Sequence, residues 1–233
     1  MFVTDILTPY TIAVMGELAE LVDLGVIFAA HTSARSAGWT FGELPFAHRV
    51  VGGASLRRSD PDVSDYYLDP RVLTTLLRWR PAVVVSAGWS IPTWYAALYC
   101  RIAAATLIIH SDGTSFTERR ASAVQRLSRR ALVALADGFA ANSRQAAERF
   151  HELGACPDAV HPAPHSTDLH PFWEAARQRA DPGRGRLRVL MAGRLVARKG
   201  FAEALPAVAR AQVENPGISL TIAGSGPDES RLR

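Results

Sequence analysis

The amino-acid sequence predicts an α/β protein, with one doubly wound parallel-sheet domain followed by the beginning of a second domain of the same kind. Continuous apolar runs such as residues 82–87 alternate with amphipathic stretches such as 9–21. Unbroken apolar strands are typical of parallel sheets that helices cover on both faces. After residue 188 the same alternation starts again. The chain of 233 residues is long enough to bury a sizeable core.

Turn and cap residues delimit the elements of the first domain. Pro9 opens a predicted helix that runs to about Leu21, and Ser143 is predicted to cap a helix that ends at Gly154. Pro92 lies near the start of another helix. The predicted strands cover 2–4, 24–30, 49–51, 82–87, 106–110 and 138–141; the other helices cover 70–79 and 118–135, and residues 54–69 form a predicted loop.

A shift in composition predicts the domain boundary. Residues 180–188, ADPGRGRLR, are rich in Pro, Gly and Arg and lack apolar periodicity, which is typical of a linker. We therefore expect an N-terminal domain over 1–179, a linker over 180–188 and a partial, Rossmann-like C-terminal domain over 189–233.

The second domain is predicted to contain strands at 187–192 and 218–223. A helix over about 200–214 separates them, and Pro206 should interrupt it unless this proline lies in the first turn. Two strands cannot build a doubly wound sheet, so we expect that the rest was cut away, that the sequence is a natural fragment, or that a partner supplies the remainder.

Composition excludes several classes of protein. With 48% hydrophobic and 21% charged residues, the chain is neither disordered nor fibrous. Its net charge of +4 does not indicate a nucleic-acid partner. Cys100 and Cys156 form no disulfide framework, and His161 and His165 lack the spacing of a zinc site. We expect neither a metal nor a cofactor.

Residues 82–100 carry no charge and are long enough to cross a bilayer. Gly88, Ser90 and Pro92 interrupt the middle of this stretch, which favours a buried strand, a turn and a helix. No secretory signal pattern is visible, and a cytoplasmic location is expected. The arginines at 126, 129 and 130 form either a solvated face or a contact with an anionic surface at the inner side of the membrane.

The strongest local signal is residues 193–200, GRLVARKG, between a predicted strand and a predicted helix. Gly193 lets a ligand approach the backbone, Arg194 offers a planar guanidinium, and Lys199 offers a compact charge. The start of the next helix adds free N–H groups. These features predict a diphosphate site, with a solvated basic loop as the alternative.

Gly224 and Gly226 follow the next predicted strand. They predict either a tight turn or a second close approach of backbone to the same ligand. Glu229 stands where a dinucleotide fingerprint needs its third glycine, which disfavours a nicotinamide-dependent enzyme.

Polar residues also follow the strands of the first domain. Ligands of open parallel sheets bind outside the carboxyl ends of the strands. Asp112, with Gly113 and Thr114, follows the strand at 106–110. This segment is either a simple turn or a site where Asp112 binds a sugar hydroxyl or accepts a proton.

Residues 189–233 resemble the start of the C-terminal domain of family-four glycosyltransferases of the GT-B fold. The shared order is strand, Gly-Arg-Leu, Lys-Gly, helix, strand and Gly-x-Gly-Pro. Upstream, the acceptor-side loops of that family resemble Thr8-Pro9-Tyr10, Gly88-Trp89-Ser90 and Ser111-Asp112-Gly113-Thr114. Ser166-Thr167-Asp168 resembles the segment that ends the first domain.

The resemblance implies transfer of a sugar from a nucleotide-sugar donor to a glycan, lipid or small-molecule acceptor, with retention and without a metal. Arg194 and Lys199 would bind the donor diphosphate, and Asp112 would face the reacting sugar as the candidate catalytic residue. The implied backbone contacts to the donor are Gly193, Gly224 and Gly226, and the implied acceptor-side residues are Pro9, Tyr10, Gly88, Trp89, Gly113 and Thr114.

One feature of the family is missing from the sequence. Members carry two glutamates eight residues apart further along the second domain, and Glu214 and Glu229 do not have that spacing. The expectation is therefore that these 233 residues alone transfer no sugar. The alternative is a non-catalytic GT-B-like module that binds a nucleotide or a glycan.

Overall fold

The structure, a computed structural model, describes residues 1–30, 41–52, 66–178 and 187–233 and the backbone of 55–56. The chain divides into two compact units, Met1–Leu169 and His170–Arg233. The sequence assigned residues up to 179 to the first domain. Residues 179–186, which hold most of the predicted linker, lie outside the described residues.

The first unit is built on a parallel sheet that has seven strands within the described residues. The strands of this unit are β1 (Phe2–Ile6), β2 (Gly25–Ala30), β3 (Ala47–Val50), β4 (Ser55–Leu56), β5 (Tyr66–Tyr67), β6 (Val83–Ala87), β7 (Thr106–Ser111), β8 (Gly138–Ala141) and β9 (Val160–Pro162). The order of the strands in the sheet is β3-β2-β1-β6-β7-β8-β9, so the direction of winding changes between β1 and β6. β4 and β5 form a separate antiparallel pair.

Helices lie on both faces of this sheet, which confirms the predicted α/β fold. They are α1 (Pro9–Leu21), α2 (Arg71–Trp79), α3 (Ile91–Ala103), α4 (Ala123–Leu135) and α5 (Arg144–Leu153). On one face, Met15 of α1 packs with Val26 and Phe28. On the other face, α2 to α5 share one core with β6 and β7, in which Leu107 and Ile109 are fully buried.

Side-chain caps explain where several helices begin. The Ser143 hydroxyl accepts a hydrogen bond from the Ala146 N–H at 3.1 Å, and α5 ends at Gly154 with a φ of 106°. Ser122 and Gln125 form a reciprocal capping box at the start of α4. The predicted start of that helix at residue 118 is wrong, because this cap fixes its first turn at Ala123.

Three other expectations differ from the structure. β1 is longer than predicted, because Ile6 still pairs with Ala30 of β2. β9 was not predicted: its three residues are too few to show a pattern, and Pro162 is tolerated because the strand lies at the sheet edge. Within the predicted loop 54–69, β4 pairs with β5, while residues 57–65 lie outside the described residues.

The uncharged stretch 82–100 forms β6, a turn and most of α3, as the sequence predicts. Across the described residues, no helix combines the length and the apolar character that crossing a bilayer requires.

The second unit contains α6 (His170–Arg177), β10 (Leu187–Ala192), α7 (Phe201–Glu214), β11 (Ile218–Ala223) and the short α8 (Glu229–Leu232). β10 and β11 pair in parallel, with Val189 opposite Leu220. The expected interruption at Pro206 is wrong, since α7 is continuous through it. A proline removes a single N–H donor from the helix, here the one that would reach the carbonyl of Ala202, and the neighbouring turns persist.

Candidate functional site

Three loops leave neighbouring strands at the carboxyl edge of the first sheet. They follow β1, β6 and β7, which are adjacent in the sheet order, so their residues lie along one edge. The loops after β6 and β7 and the first turn of α1, which follows the loop after β1, contain all the predicted acceptor-side residues and the candidate catalytic carboxylate: Pro9, Tyr10, Gly88, Trp89, Asp112, Gly113 and Thr114. Tyr10 is 44% exposed at the start of α1.

The loop after β6 is held by backbone contacts. Gly88 has a φ of +70°, a conformation that favours glycine, and its N–H donates to the His110 carbonyl at 2.7 Å. The Thr93 hydroxyl donates to the Gly88 carbonyl at 2.9 Å. These bonds fix the backbone of the turn that carries Trp89 at the edge of the sheet.

The loop after β7 is ordered by its own side chains. The Gly113 N–H donates to the Ser111 hydroxyl at 3.0 Å. The N–H groups of Thr114 and Thr117 each donate to the other residue's hydroxyl, at 2.9 and 3.1 Å. The Thr114 hydroxyl thus stabilises a turn, whereas the Asp112 side chain is exposed to solvent, where it can meet a ligand.

A buried carboxylate that the sequence analysis did not identify as a site residue joins these loops to the helices behind them. The Glu118 side chain is 7% exposed. Its Oε1 accepts a hydrogen bond from Trp89 Nε1 at 2.7 Å, and its Oε2 accepts one from Arg149 Nε at 2.9 Å. Arg129 Nη1 lies 3.3 Å from the same Oε2. We call Trp89, Glu118, Arg129 and Arg149 the Glu118 cluster.

The structure corrects two expectations at this cluster. Glu118 lies in a turn before α4 and not in a helix. The Arg129 side chain is only 14% exposed, so it belongs to neither a solvated nor a membrane-facing surface, although Arg126 and Arg130 are exposed as predicted. Arg129 has the sequence context of its neighbours, but it projects toward Glu118 on the inner side of α4.

The two arginines of the cluster differ in how they contact Glu118. Burial lowers the pKa of Arg129, and Glu118 offsets this only in part, because Arg129 Nη1 is close to the carboxylate without a hydrogen bond. Burial also acts to lower the pKa of Arg149, but hydrogen bonds to Glu118 and Glu152 outweigh it, and the net shift is upward. Arg149 is therefore the firmer partner of Glu118.

The Glu118 cluster leaves no room for a side chain at Gly113, in the loop after β7. A Cβ at Gly113 would lie 2.5 Å from Glu118 Oε1, which Trp89 already holds in place. We expect Gly113→Ala to lower the free energy of unfolding by about 1–3 kcal/mol, as overpacking does, and to shift the fluorescence of Trp89. Urea denaturation followed by tryptophan emission measures both effects.

Gly138→Ala is the matched control for this substitution. A Cβ there would meet Ile108 at 3.7 Å, an ordinary contact, so the same change should be neutral or stabilising. Equal stability of the two variants would contradict the tight packing of Gly113 against Glu118.

An imidazole pair lies at the same edge of the sheet. The rings of His110 and His165 are 5.6 Å apart, and the ring of Tyr10 is 5.9 Å from that of His165. Burial lowers the pKa of His110, and His165 lowers it further, while a hydrogen bond to the Ala163 backbone and the charge of Asp112 act in the opposite direction. His110 is therefore uncharged near neutral pH, and one of its ring nitrogens is already bonded to Ala163.

The sequence analysis weighed His165 only as a metal ligand. In the part of the chain that the structure describes, no three His, Cys, Asp or Glu residues are grouped so that they could hold a metal ion. The backbone N–H of His165 donates to Asn142 Oδ1 at 2.7 Å. Asn142 directly follows β8, and this position after a strand could have identified it as a residue of this sheet edge.

In the second unit, the loops after β10 and β11 are bonded to each other. The Gly193 N–H donates to the Ala223 carbonyl at 2.9 Å, and the Leu195 N–H donates to the Ser225 carbonyl at 2.9 Å. A Cβ on Gly224 would overlap the Gly193 carbonyl oxygen, and one on Gly226 would overlap that of Leu195. Both glycines are thus required by the contact between the loops.

The predicted diphosphate residues lie on this paired-loop structure. Arg194 is half-buried next to Gly193, and Lys199 is exposed at the end of a 3-10 turn formed by Ala197–Lys199. Gly200, with a φ of +73°, then starts α7. The first N–H groups of a helix have no acceptor within it, so they are available to an anion. The binding role of these residues stays a prediction.

A family model described as Glycosyltransferase Family 4 matches residues 10–171, which is more than half of the chain. The chain belongs to glycosyltransferase family 4. The match begins at Tyr10 and covers the loops after β6 and β7 and the Glu118 cluster. At the level of sequence, no curated protein matches this family 4 chain.

Solved structures of the GT-B fold resemble the family 4 chain. The complex of Anabaena Alr3699/HepE with UDP and glucose has a TM-score of 0.63 and 16% identity, and covers 99% of this chain and 62% of that one. The apo form of the lipopolysaccharide outer core galactosyltransferase WaaB has a TM-score of 0.55 and 13% identity, and covers 99% of this chain and 62% of that one. The chain therefore spans about 62% of the length of these two proteins.

A UDP-N-acetylglucosamine 2-epimerase from Rickettsia bellii also shares the fold. It has a TM-score of 0.55 and 12% identity, and covers 100% of this chain and 64% of that one. All three likenesses show the fold alone. The family match, and not the fold, distinguishes a glycosyltransferase from an epimerase here.

Proposed function

We propose that these 233 residues, which alone are expected to be inactive, belong to a protein that transfers a sugar, with retention, from a nucleoside diphosphate sugar to a hydroxyl-bearing acceptor, and that this protein needs no metal ion. The observation that carries the proposal is the family match over residues 10–171. Structures of the same fold were solved with UDP and with UDP-glucose, which favours a uridine donor. Retention follows from the resemblance to the family.

In the second unit, Arg194 and Lys199 bind the donor diphosphate, and the backbone of Gly193, Gly224 and Gly226 allows its close approach. During transfer the bond between the anomeric carbon and the diphosphate oxygen breaks, and negative charge grows on the departing nucleotide. Fixed cations and the positive end of α7 stabilise that charge more in the transition state than in the ground state.

In the first unit, the loops after β1, β6 and β7 bind the acceptor, which is a glycan, a lipid or a small molecule. Asp112 offers a carboxylate that accepts a hydrogen bond from a sugar hydroxyl. His110, uncharged near neutrality and bonded to the Ala163 backbone through one ring nitrogen, offers its other ring nitrogen at the same edge. Pro9 and Tyr10 start α1 there, and Gly88, Trp89, Gly113 and Thr114 shape the edge around them.

Titration of the protein with UDP and with UMP tests the donor site. If Lys199 contacts the second phosphate, Lys199→Ala weakens UDP binding by about 10- to 100-fold, because a charge-assisted hydrogen bond contributes about 1.5–3 kcal/mol. UMP, which lacks that phosphate, should bind the variant and the parent equally. Isothermal titration calorimetry gives both constants.

Arg210→Ala is the matched control, since Arg210 is an exposed cation on α7 in the same unit. It should leave UDP affinity unchanged. If Lys199→Ala leaves UDP affinity unchanged, or weakens UMP binding as much as UDP binding, the assignment of Lys199 to the diphosphate is wrong.

A further inference from the structure

The outer faces of α3 and α4 carry exposed apolar side chains. On α3, Trp94, Leu98 and Ile102 are exposed at a spacing of four residues. On α4, Val124 and Leu127 are 76% and 70% exposed, and Phe116 in the preceding turn is 71% exposed. We call these six residues, with the arginines around them, the α3–α4 surface.

The two helices form one continuous surface. Both pack on the same face of the sheet, through Ala96 and Tyr99 of α3 and Leu132 and Val133 of α4. They are also joined directly, because Trp94 Nε1 donates to the Ser128 hydroxyl at 3.1 Å. Their outward faces therefore adjoin.

The charge of this surface has one sign. Its exposed arginines are Arg101, Arg119, Arg120, Arg126 and Arg130. No acidic residue occurs in 91–103 or in 119–135, although 22 of the 233 residues of the chain are acidic. The Arg119 guanidinium lies 4.1 Å from the centre of the Phe116 ring, so cationic and apolar groups are interleaved.

We propose that the α3–α4 surface docks this protein onto an anionic lipid bilayer. Arginines pair with anionic headgroups, while the apolar side chains and the indole of Trp94 enter the interface below them. A second copy of the chain would bring like charges together. A nucleic acid would neutralise the arginines but leave the apolar residues in water. A lipid surface satisfies both features.

The docked surface adjoins the acceptor-side loops. α3 and α4 follow β6 and β7, so their first turns lie at the same sheet edge as residues 88–90 and 112–114. The lipid headgroups would then be next to Trp89 and Asp112. If the proposed function holds, the acceptor is a hydroxyl carried by a membrane lipid; the docking itself does not depend on that function.

Sedimentation with vesicles tests the docking. The protein should sediment with vesicles of phosphatidylglycerol and phosphatidylcholine in equal amounts, and not with phosphatidylcholine alone. Substituting Arg126→Gln and Arg130→Gln together should weaken binding by about 25-fold, since each arginine near such a surface contributes roughly five-fold. Val124→Gln with Leu127→Gln should also weaken binding, by about ten-fold, through lost apolar burial.

The control pair is Arg210→Gln with Val213→Gln on α7, where both side chains are likewise exposed. It removes one charge and one apolar side chain outside the α3–α4 surface and should leave binding unchanged. Absence of sedimentation with the anionic vesicles, or equal weakening by the control pair, overturns the proposal. So does a concentration-dependent dimer that Leu127→Gln abolishes without any vesicle binding. None of these measurements uses sugar transfer, so a failed docking is distinct from a failed transferase.

Discussion

Replacing Glu118 by alanine is expected to lower the free energy of unfolding of the first unit by about 3 kcal/mol. The substitution leaves the buried guanidinium groups of Arg129 and Arg149 without their shared carboxylate. Loss of one partner from a buried ion pair costs about 3–5 kcal/mol, because an uncompensated charge stays behind. We expect a loss at the lower end of this range, because Arg149 keeps Glu152 as a partner at 2.9 Å.

Replacing Glu118 should also loosen the packing of the loops after β6 and β7. Trp89 Nε1 loses its acceptor, and Gly113 loses the carboxylate against which it packs. Glu152→Gln is the matched control, because Glu152 contacts the same arginine but is 50% exposed. Exposed ion pairs contribute only about 0–1 kcal/mol.

Urea denaturation followed by tryptophan emission compares the two variants. Similar losses of unfolding free energy in both would show that burial of Glu118 adds nothing to stability.

The general fold could be predicted because its signals are local. Pro9, Ser143 and Gly154 mark helix ends through contacts within a few residues, and the structure confirms all three. The parallel sheet follows from apolar runs such as β6. β9 escaped prediction because its three residues hold no periodicity.

The Glu118 cluster could not be predicted because its contacts are distant in sequence. Trp89 and Arg149 lie 29 and 31 residues from Glu118. The local sequence, in which two arginines follow Glu118, indicates the solvent-exposed start of a helix. Only the sheet order, which brings the loops of β6 and β7 together in front of α4 and α5, makes this carboxylate a buried partner of Arg149.

The candidate donor site was predicted by the same kind of local pattern as the helix caps. The order of strand, Gly193, Lys199 and helix can be read without tertiary structure, and the structure has β10 ending before Gly193 and α7 starting after Gly200. The reason for Gly226 could not be read this way. Its lack of a side chain is required by the backbone of Leu195, on a loop about thirty residues earlier.

Gly226→Ala is expected to destabilise the second unit by about 3 kcal/mol, at the upper end of the usual cost of overpacking. The new Cβ would press on backbone atoms of Leu195, including its nitrogen at 2.7 Å. Backbone can yield only by breaking the bonds that join the loops, Leu195 N–H to Ser225 O at 2.9 Å and Asp228 N–H to Leu195 O at 3.1 Å. Since Arg194 precedes Leu195, UDP binding should weaken with the same substitution.

Hydrogen exchange followed by mass spectrometry resolves this effect within the chain. Amides of β10 and β11 should lose protection in Gly226→Ala, while those of β6 and β7 in the first unit serve as an internal reference. Ser225→Ala is the control, because it alters the same loop without placing an atom against Leu195 and should change stability by less than about 0.5 kcal/mol. Unchanged protection of 187–195 in Gly226→Ala would mean that the two loops can separate at little cost. The requirement for glycine at 226 would then have to come from a bound ligand and not from the contact between the loops.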